Sequence, residues 1–374
     1  MQRFAFVIHP LSVEDFTRKF GFTRRLPARW VEGAFRLVPP FVVSHITGVR
    51  SVTGTEAEGW FVGLPLTPRT LFASDLRFVY RRLLQCAELS ERLGAGVMGL
   101  GAFTAIVGDA GVTVAAGAKI AVTTGNSYTA ATGVEGALLA AQRVGIAVEE
   151  ACAVVVGATG SIGAVCSRML ARKVPRLTLV ARNPQRLARL RDVIRSESGA
   201  EVAVSTDVRG AVADGDVVLT VSSATDVLIE PEDLKPGSVV CDVARPRNVS
   251  RAVHERRDDV LVIDGSVIRP PGDVDFGFDF GLPPGLCDAC MAETMILALE
   301  GRYASFTLGR DLTLEQVEEI AALGRRHGFH LAGFRRFERA IPDEEVERIR
   351  RRAGRGPGPT PEAARSSGAP MPGL

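Results

Sequence analysis

The sequence lacks most of what would send a protein to a bilayer, a secretory route or a nucleic acid. No run of roughly 18 apolar residues occurs, so no spanning helix is expected. The opening MQRFAFVIHP is too short in apolar residues for a signal peptide. Charge of either sign is not in excess: 45 basic against 43 acidic residues leave a net +2, which argues against a nucleic-acid partner. Cysteine is sparse and scattered, six in 374 residues, which points to reduced thiols in a cytoplasm rather than a disulfide framework. Lysine is nearly missing, confined to Lys19, Lys119, Lys173 and Lys235, so each one can be questioned individually. No internal repeat is present.

What remains is an ordinary globular composition, 46% hydrophobic and 24% charged, in a chain long enough for two cores. Between Cys152 and about Gly265, six β-rich apolar runs alternate with helical patterns: ACAVVV, RLTLVARN, EVAVS, DVVLTVSS, SVVCDVA and VLVIDG. Strands apolar on both faces, separated by helices, predict a parallel sheet covered on both sides. The predicted class is α/β, with a doubly wound, Rossmann-type nucleotide-binding domain over 151–272. It is inserted between an N-terminal α/β substrate domain over 1–150, ending in a helix from Ala130 to Val144, and returning C-terminal helices over 273–352. Those helices are expected at Cys290–Gly301, Leu314–His327 and Pro342–Arg352. The stretch 353–374, rich in Pro, Gly, Ala and Ser, is expected to be disordered. In this layout the catalytic cleft is expected between the two bodies, outside the C-terminal ends of the strands.

Gly157-Ala-Thr159-Gly160-Ser161-Ile162-Gly163 lies where a strand should turn into a helix. That context makes it a dinucleotide turn. Gly157 allows the tight turn, Gly160 lets backbone approach a pyrophosphate, and Gly163 lets helix and strand pack closely. The free N–H groups of the helix start then face the phosphates. At the end of the next strand stand Arg182 and Asn183, where NAD enzymes place a carboxylate for the ribose hydroxyl. A guanidinium there suits a 2′-phosphate, so NADPH is the expected cofactor. Ser222, Ser223 and Ala244, at the ends of two further strands, complete the expected cofactor-binding set.

PPGLCDACMAETM (Pro283–Met295) sets two cysteines three residues apart where a loop becomes a helix. No second CxxC or paired histidines accompany it, so no metal site is expected. Cys290 falls at the helix start, where dipole and unpaired N–H groups are expected to lower a thiol's pKa. A thiolate near a nicotinamide can attack a thioester and hold the acyl group for hydride delivery. Cys86, Cys152, Cys166 and Cys241 lie in apolar stretches and read as core residues. Lys119 precedes the polar cluster Thr123-Thr124-Gly125-Asn126 and is the rival candidate, as acid/base of a polyol dehydrogenase of the shikimate type, with Asp109 as its partner.

ITGVRSVTG (Ile46–Gly54), GAFTAI (Gly101–Ile106), TTGNSYTA (Thr123–Ala130), VVGATGSIG (Val155–Gly163), ARNPQRL (Ala181–Leu187), ACMAETMILALEG (Ala289–Gly301) and GRDLTLEQVEEIAALGRRHGF (Gly309–Phe329) occur in one order and spacing. Together they resemble the long-chain acyl-(acyl-carrier-protein) reductases. DVARPRNV (Asp242–Val249) is also similar to glutamyl-tRNA reductase. The resemblance implies NADPH-dependent reduction of a fatty acyl thioester, on acyl-carrier protein or coenzyme A, to an aldehyde. It aligns Cys290 with the family's nucleophile and implies supporting roles for Asn126 and Thr124. Cys287, the first 40 residues and Phe276–Gly281 depart from the family pattern. Two other readings stand beside it: an NADP-dependent polyol or amino-acid dehydrogenase using Lys119, and a non-catalytic NADPH-binding regulator.

Overall fold

In the computed structural model, residues 1–15, 21, 25–224, 226–244, 247–337 and 339–356 are described. Of the tail expected over 353–374, residues 357–374 lie outside them. The chain divides into two compact units. The first comprises Met1–Tyr128, Ile268–Asp311 and Ala322–His330; the second comprises Thr129–Val267, Leu312–Ala321 and Leu331–Leu374. The first boundary therefore falls at residue 128 rather than near 150, and the C-terminal segment is shared between the units instead of forming a separate block.

The first unit is built on a five-stranded sheet in the order β2-β3-β1-β4-β5. Its strands are β1 (Gln2–Ile8), β2 (Phe41–Arg50), β3 (Glu56–Gly63), β4 (Val97–Leu100) and β5 (Ala121–Thr123). All neighbours run parallel except β2, which pairs antiparallel with β3 at the edge. Helices α1 (Ala28–Phe35), α2 (Pro68–Ala73), α3 (Leu76–Arg92) and α4 (Val112–Gly117) connect them. Side chains of a strand alternate between faces. Ala5 and Val7 of β1 join a core with Val79, Leu83 and Cys86 of α3, one helical stripe. Phe4 and Phe6 take the opposite face.

That opposite face receives a helix from late in the sequence. It is numbered in chain order after α5 (Asn126–Arg143), α6 (Ser161–Ala171), α7 (Pro184–Glu197), α8 (Val208–Val212) and α9 (Arg251–Arg256), and is α10 (Ala289–Leu299). Ten of its eleven residues are buried, which explains why MAETMILAL carries apolar residues all round. It lies so close to β4 that a Cβ at Gly99 would fall 2.1 Å from Thr294 Oγ1. Among the described residues two more helices follow, α11 (Leu314–His327) and α12 (Asp343–Arg352), both at the positions the periodicity predicts.

The second unit holds the six strands read from the apolar runs: β6 (Cys152–Val156), β7 (Arg176–Val180), β8 (Glu201–Ser205), β9 (Val217–Thr220), β10 (Val239–Asp242) and β11 (Leu261–Asp264). They form one parallel sheet, β11-β10-β9-β6-β7-β8. Counted from the first strand outward this is the order 3-2-1-4-5-6 of the dinucleotide-binding fold, with the switch point between β6 and β9. Valines dominate its core, among them Val154, Val156, Val218, Val240 and Val262. Cys166 and Cys241 are buried against the helix α5, their thiols near the carbonyls of Ala130 and Gly133.

His9, which follows β1, received no role from the sequence. Its Nε2 accepts a hydrogen bond from the Phe103 N–H at 3.1 Å and its Nδ1 meets the Pro10 carbonyl at 3.0 Å, so the ring serves as a neutral tautomer. Burial pulls its pKa down to about 4. A group whose folded pKa is depressed by loss of solvation keeps its native contribution while neutral. That contribution is present above the unfolded value near 6.5 and is lost as pH falls toward 4. Unfolding free energy measured in urea should drop by about 3 kcal/mol over that window, and His9→Gln should remove most of the drop.

Candidate active site

The dinucleotide turn has the geometry each glycine requires. Gly157 adopts φ +88, and a Cβ there would lie 2.8 Å from the Ser222 backbone. At Gly163 a Cβ would fall 2.2 Å from the Gly157 carbonyl oxygen, so α6 packs on the turn only without a side chain. Gly160, the N-cap of α6, has no neighbour but the Gly157 oxygen at 3.3 Å, which leaves its outer side open to a ligand. Ser161 Oγ, at the first helical position, is buried and makes no hydrogen bond among the described residues. An orphaned hydroxyl at a helix start, above an open glycine, fits a pyrophosphate. Thr159 and Ile162 flank this position, both partly exposed.

Asn183 caps α7 by accepting from the Arg186 N–H at 2.9 Å. Arg182 is exposed and makes no ion pair among the described residues, and neither does Arg186 one turn later. Two unpaired guanidinium groups with no carboxylate at the end of β7 fit the 2′-phosphate of NADP(H). Arg182→Ala should raise KM for NADPH by about tenfold and leave KM for NADH unchanged, as judged by steady-state rates with each cofactor. Ser222, partly exposed, and Ser223, exposed, follow β9; the buried Ala244 follows β10, donating its N–H to Asp242 at 3.1 Å. Asp242 also accepts from the N–H groups of Asn248 and Val249, and so shapes the loop that carries Ala244. All three stand at the carboxyl ends of strands, where doubly wound folds bind ligands.

The thiol site lies in the first unit. Asp288 is the N-cap of α10, which makes Cys290 its second residue. Of the six cysteines only Cys290 keeps part of its surface; the other five, including Cys287, are buried. Gly125, at φ +74, lies directly on it: a Cβ at Gly125 would stand 2.2 Å from Cys290 Cα and 2.3 Å from its Cβ. Beneath them sits a group that the sequence reading passed over. Glu293, one turn after Cys290, is completely buried. Its carboxylate accepts from the Thr123 hydroxyl at 2.5 Å, the Thr307 hydroxyl at 2.7 Å and the Tyr128 N–H at 2.8 Å. One side chain thus clamps the end of β5 and the start of α5 onto the helix of the thiol. The signal for it was a carboxylate within an otherwise apolar helix, three residues from the cysteine.

Three expectations need correction. Burial pushes the Cys290 thiol up from its ordinary range, and the negative charges of Asp288 and Glu293 add to the rise. The N–H groups of Met291 and Cys290 act in the opposite direction, but the loss of hydration outweighs them. Thr124 is fully buried, and both its N–H and its hydroxyl are held by the Thr307 carbonyl at 2.9 and 3.2 Å, so it pins the loop and offers no free group. Lys119 precedes β5 whereas the thiol site follows it, and its exposed ammonium lies 3.8 Å from Glu91. Asp109, its supposed partner, instead binds Thr113. Asn126 stands apart from these. It is buried, it follows Gly125, and its side-chain amide makes no hydrogen bond among the described residues.

Comparison with known proteins gives this geometry its context. Residues 138–264 match the family model of the shikimate / quinate 5-dehydrogenases, which covers the dinucleotide unit and stops short of Cys290. Over 307 residues the chain is 31% identical to the long-chain acyl-[acyl-carrier-protein] reductase of Synechococcus elongatus, spanning 78% of this chain and 87% of that protein. The chain belongs to this reductase family. As a family member it is an NAD(P)-dependent oxidoreductase. It is also 31% identical over 366 residues to the aminotransferase PigE of a Serratia species. That match spans 93% of this chain and 42% of PigE, so the chain is less than half that relative's length. Among solved structures, L-tryptophan dehydrogenase from Nostoc punctiforme aligns over 94% of this chain and 88% of its own, at 12% identity and a TM-score of 0.42.

Proposed function

We propose that this chain reduces a fatty acyl thioester to the aldehyde, with NADPH, through an acyl group carried on Cys290. The observation that supports this most directly is the placement of Cys290. It is the one partly exposed thiol, on the first turn of α10, with Gly125, the residue before Asn126, closed against its backbone. In the first step the sulfur of Cys290 attacks the thioester carbonyl, the bond to the carrier sulfur breaks, and the thiol proton leaves on the released carrier thiol. The backbone N–H groups at the start of α10 and the unpaired amide of Asn126 supply donors for the oxyanion of that step. NADPH, which the Gly157–Gly163 turn and Arg182 would hold, would supply the hydride that converts the Cys290 thioester to a hemithioacetal. Its collapse frees the aldehyde, and a proton from water restores the Cys290 thiol.

The dehydrogenase alternative loses support at both ends. The shikimate-type match is confined to 138–264, and Lys119 is a solvated surface residue. Incubation of the protein with acyl-acyl-carrier protein or acyl-coenzyme A, without NADPH, tests the proposal. Intact-mass and peptide analysis should find one acyl group, on Cys290. Absence of any adduct with either donor, or an adduct confined to Cys287, would sink it. Under this reading Lys119→Met turns over normally.

A further inference from the structure

We propose that the outer side of α1, with the residues at its two ends, docks on an anionic lipid surface. The helix is fastened to the first unit by a narrow contact. Val31 and Phe35 are buried against Val13, and Glu32 is buried with its carboxylate held by the Thr67 hydroxyl at 2.6 Å and by Arg69. The rest of 25–39 is exposed. Trp30 lies on the side opposite Phe35, as the helical repeat requires, and is 69% exposed. Leu26 and Leu37, four residues before it and seven after, are 46% and 78% exposed.

The exposed charged residues of 25–39, namely Arg25, Arg29 and Arg36, are all basic. Between Asp15 and Glu32 the sequence has five basic residues and no acid, and Glu32 is the buried, neutralised one. Arg25 and Arg29 are exposed and make no ion pair among the described residues. Arg36 lies over the Phe78 ring at 5.0 Å. Indole and leucine side chains interleaved with guanidinium groups on the outer side of a short helix suit the boundary between headgroups and acyl chains. A protein partner would be met by donors and acceptors together. The exposed side chains of 25–39 offer guanidinium donors and hydrocarbon and no carboxylate, which matches a layer of phosphates over a hydrocarbon interior. No helix among the described residues is long and apolar enough to cross a membrane, so the contact is peripheral.

The chain contains two tryptophans, and Trp60 is stacked on His45 in the first unit's sheet. In full-length Trp60→Phe, Trp30 is therefore the sole indole reporter. Its emission should shift to the blue with vesicles of equal parts phosphatidylglycerol and phosphatidylcholine. No shift should occur with phosphatidylcholine alone, and high salt should reverse it. Arg25→Gln and Arg29→Gln should each weaken partitioning by about fivefold, and co-sedimentation of the unaltered protein should follow the same lipid dependence. No shift and no co-sedimentation with anionic vesicles would overturn the proposal. So would a shift produced by soluble acyl-carrier protein in place of lipid, or by raising protein concentration without lipid, which would assign the face to a protein partner or a second copy. Cys290→Ser should bind vesicles unchanged, so failure of the acyl-transfer reading and failure of this one are separable.

Discussion

Cys290→Ser is expected to lower aldehyde formation by about three orders of magnitude or more, while NADPH binding followed by fluorescence stays within a factor of two. The serine hydroxyl is nearly isosteric but a far weaker nucleophile at neutral pH, and among the described residues no histidine is hydrogen-bonded to this position to activate it. The loss should therefore appear in kcat, and the acyl adduct seen without NADPH should vanish. The matched variant Cys287→Ser separates the two cysteines. Cys287 is completely buried, and burial pushes its thiol well above the ordinary range. Its replacement should cost stability by about 1 kcal/mol and leave the adduct in place. Retention of full activity by Cys290→Ser would end the covalent mechanism.

Gly125→Ala is expected to be as damaging by a different route. The added Cβ meets the Cys290 main chain at 2.2 Å, and that neighbour is backbone at a helix start, which cannot rotate aside. The φ of +74 adds a conformational cost of about 1 kcal/mol for any residue with a Cβ. Clash and strain together should destabilise the first unit by about 3 kcal/mol or more and displace the Cys290 thiol. Thermal unfolding measures the first effect. The rate of acyl-adduct formation in the fraction still folded measures the second, and a variant with native stability and native acylation would show that Gly125 has no part in holding the thiol.

Much of the second unit was legible because a buried parallel sheet writes itself into short apolar runs. VVV, LTLV and VVLT are all strands at the expected places, and the glycine spacing locates the turn. In the first unit, local rules met tertiary burial. The helix expected from Ala130 begins at Asn126, because Gly125 in the left-handed region lets the chain turn straight into it. Glu293 was hidden because Thr123 and Tyr128, which explain it, lie more than 160 residues earlier in the chain. The thiol's shift had the wrong expected sign for a related reason. A helix start is visible in sequence, whereas the desolvation that overrides it depends on what folds over the site.

The raised Cys290 thiol carries a consequence for how the protein meets oxidants and alkylating agents. Peroxides and simple alkylating agents react with the thiolate, and a sulfur kept protonated presents little of it. The resting protein should therefore outlast far more acidic catalytic cysteines under oxidative stress, with iodoacetamide reacting slowly until pH is raised well above neutral. An inhibitor designed only as a cysteine-directed electrophile would gain little purchase. Under the proposed function, one that mimics the acyl thioester would be held by the N–H groups at the start of α10 and the Asn126 amide, and so would bring the activation with it.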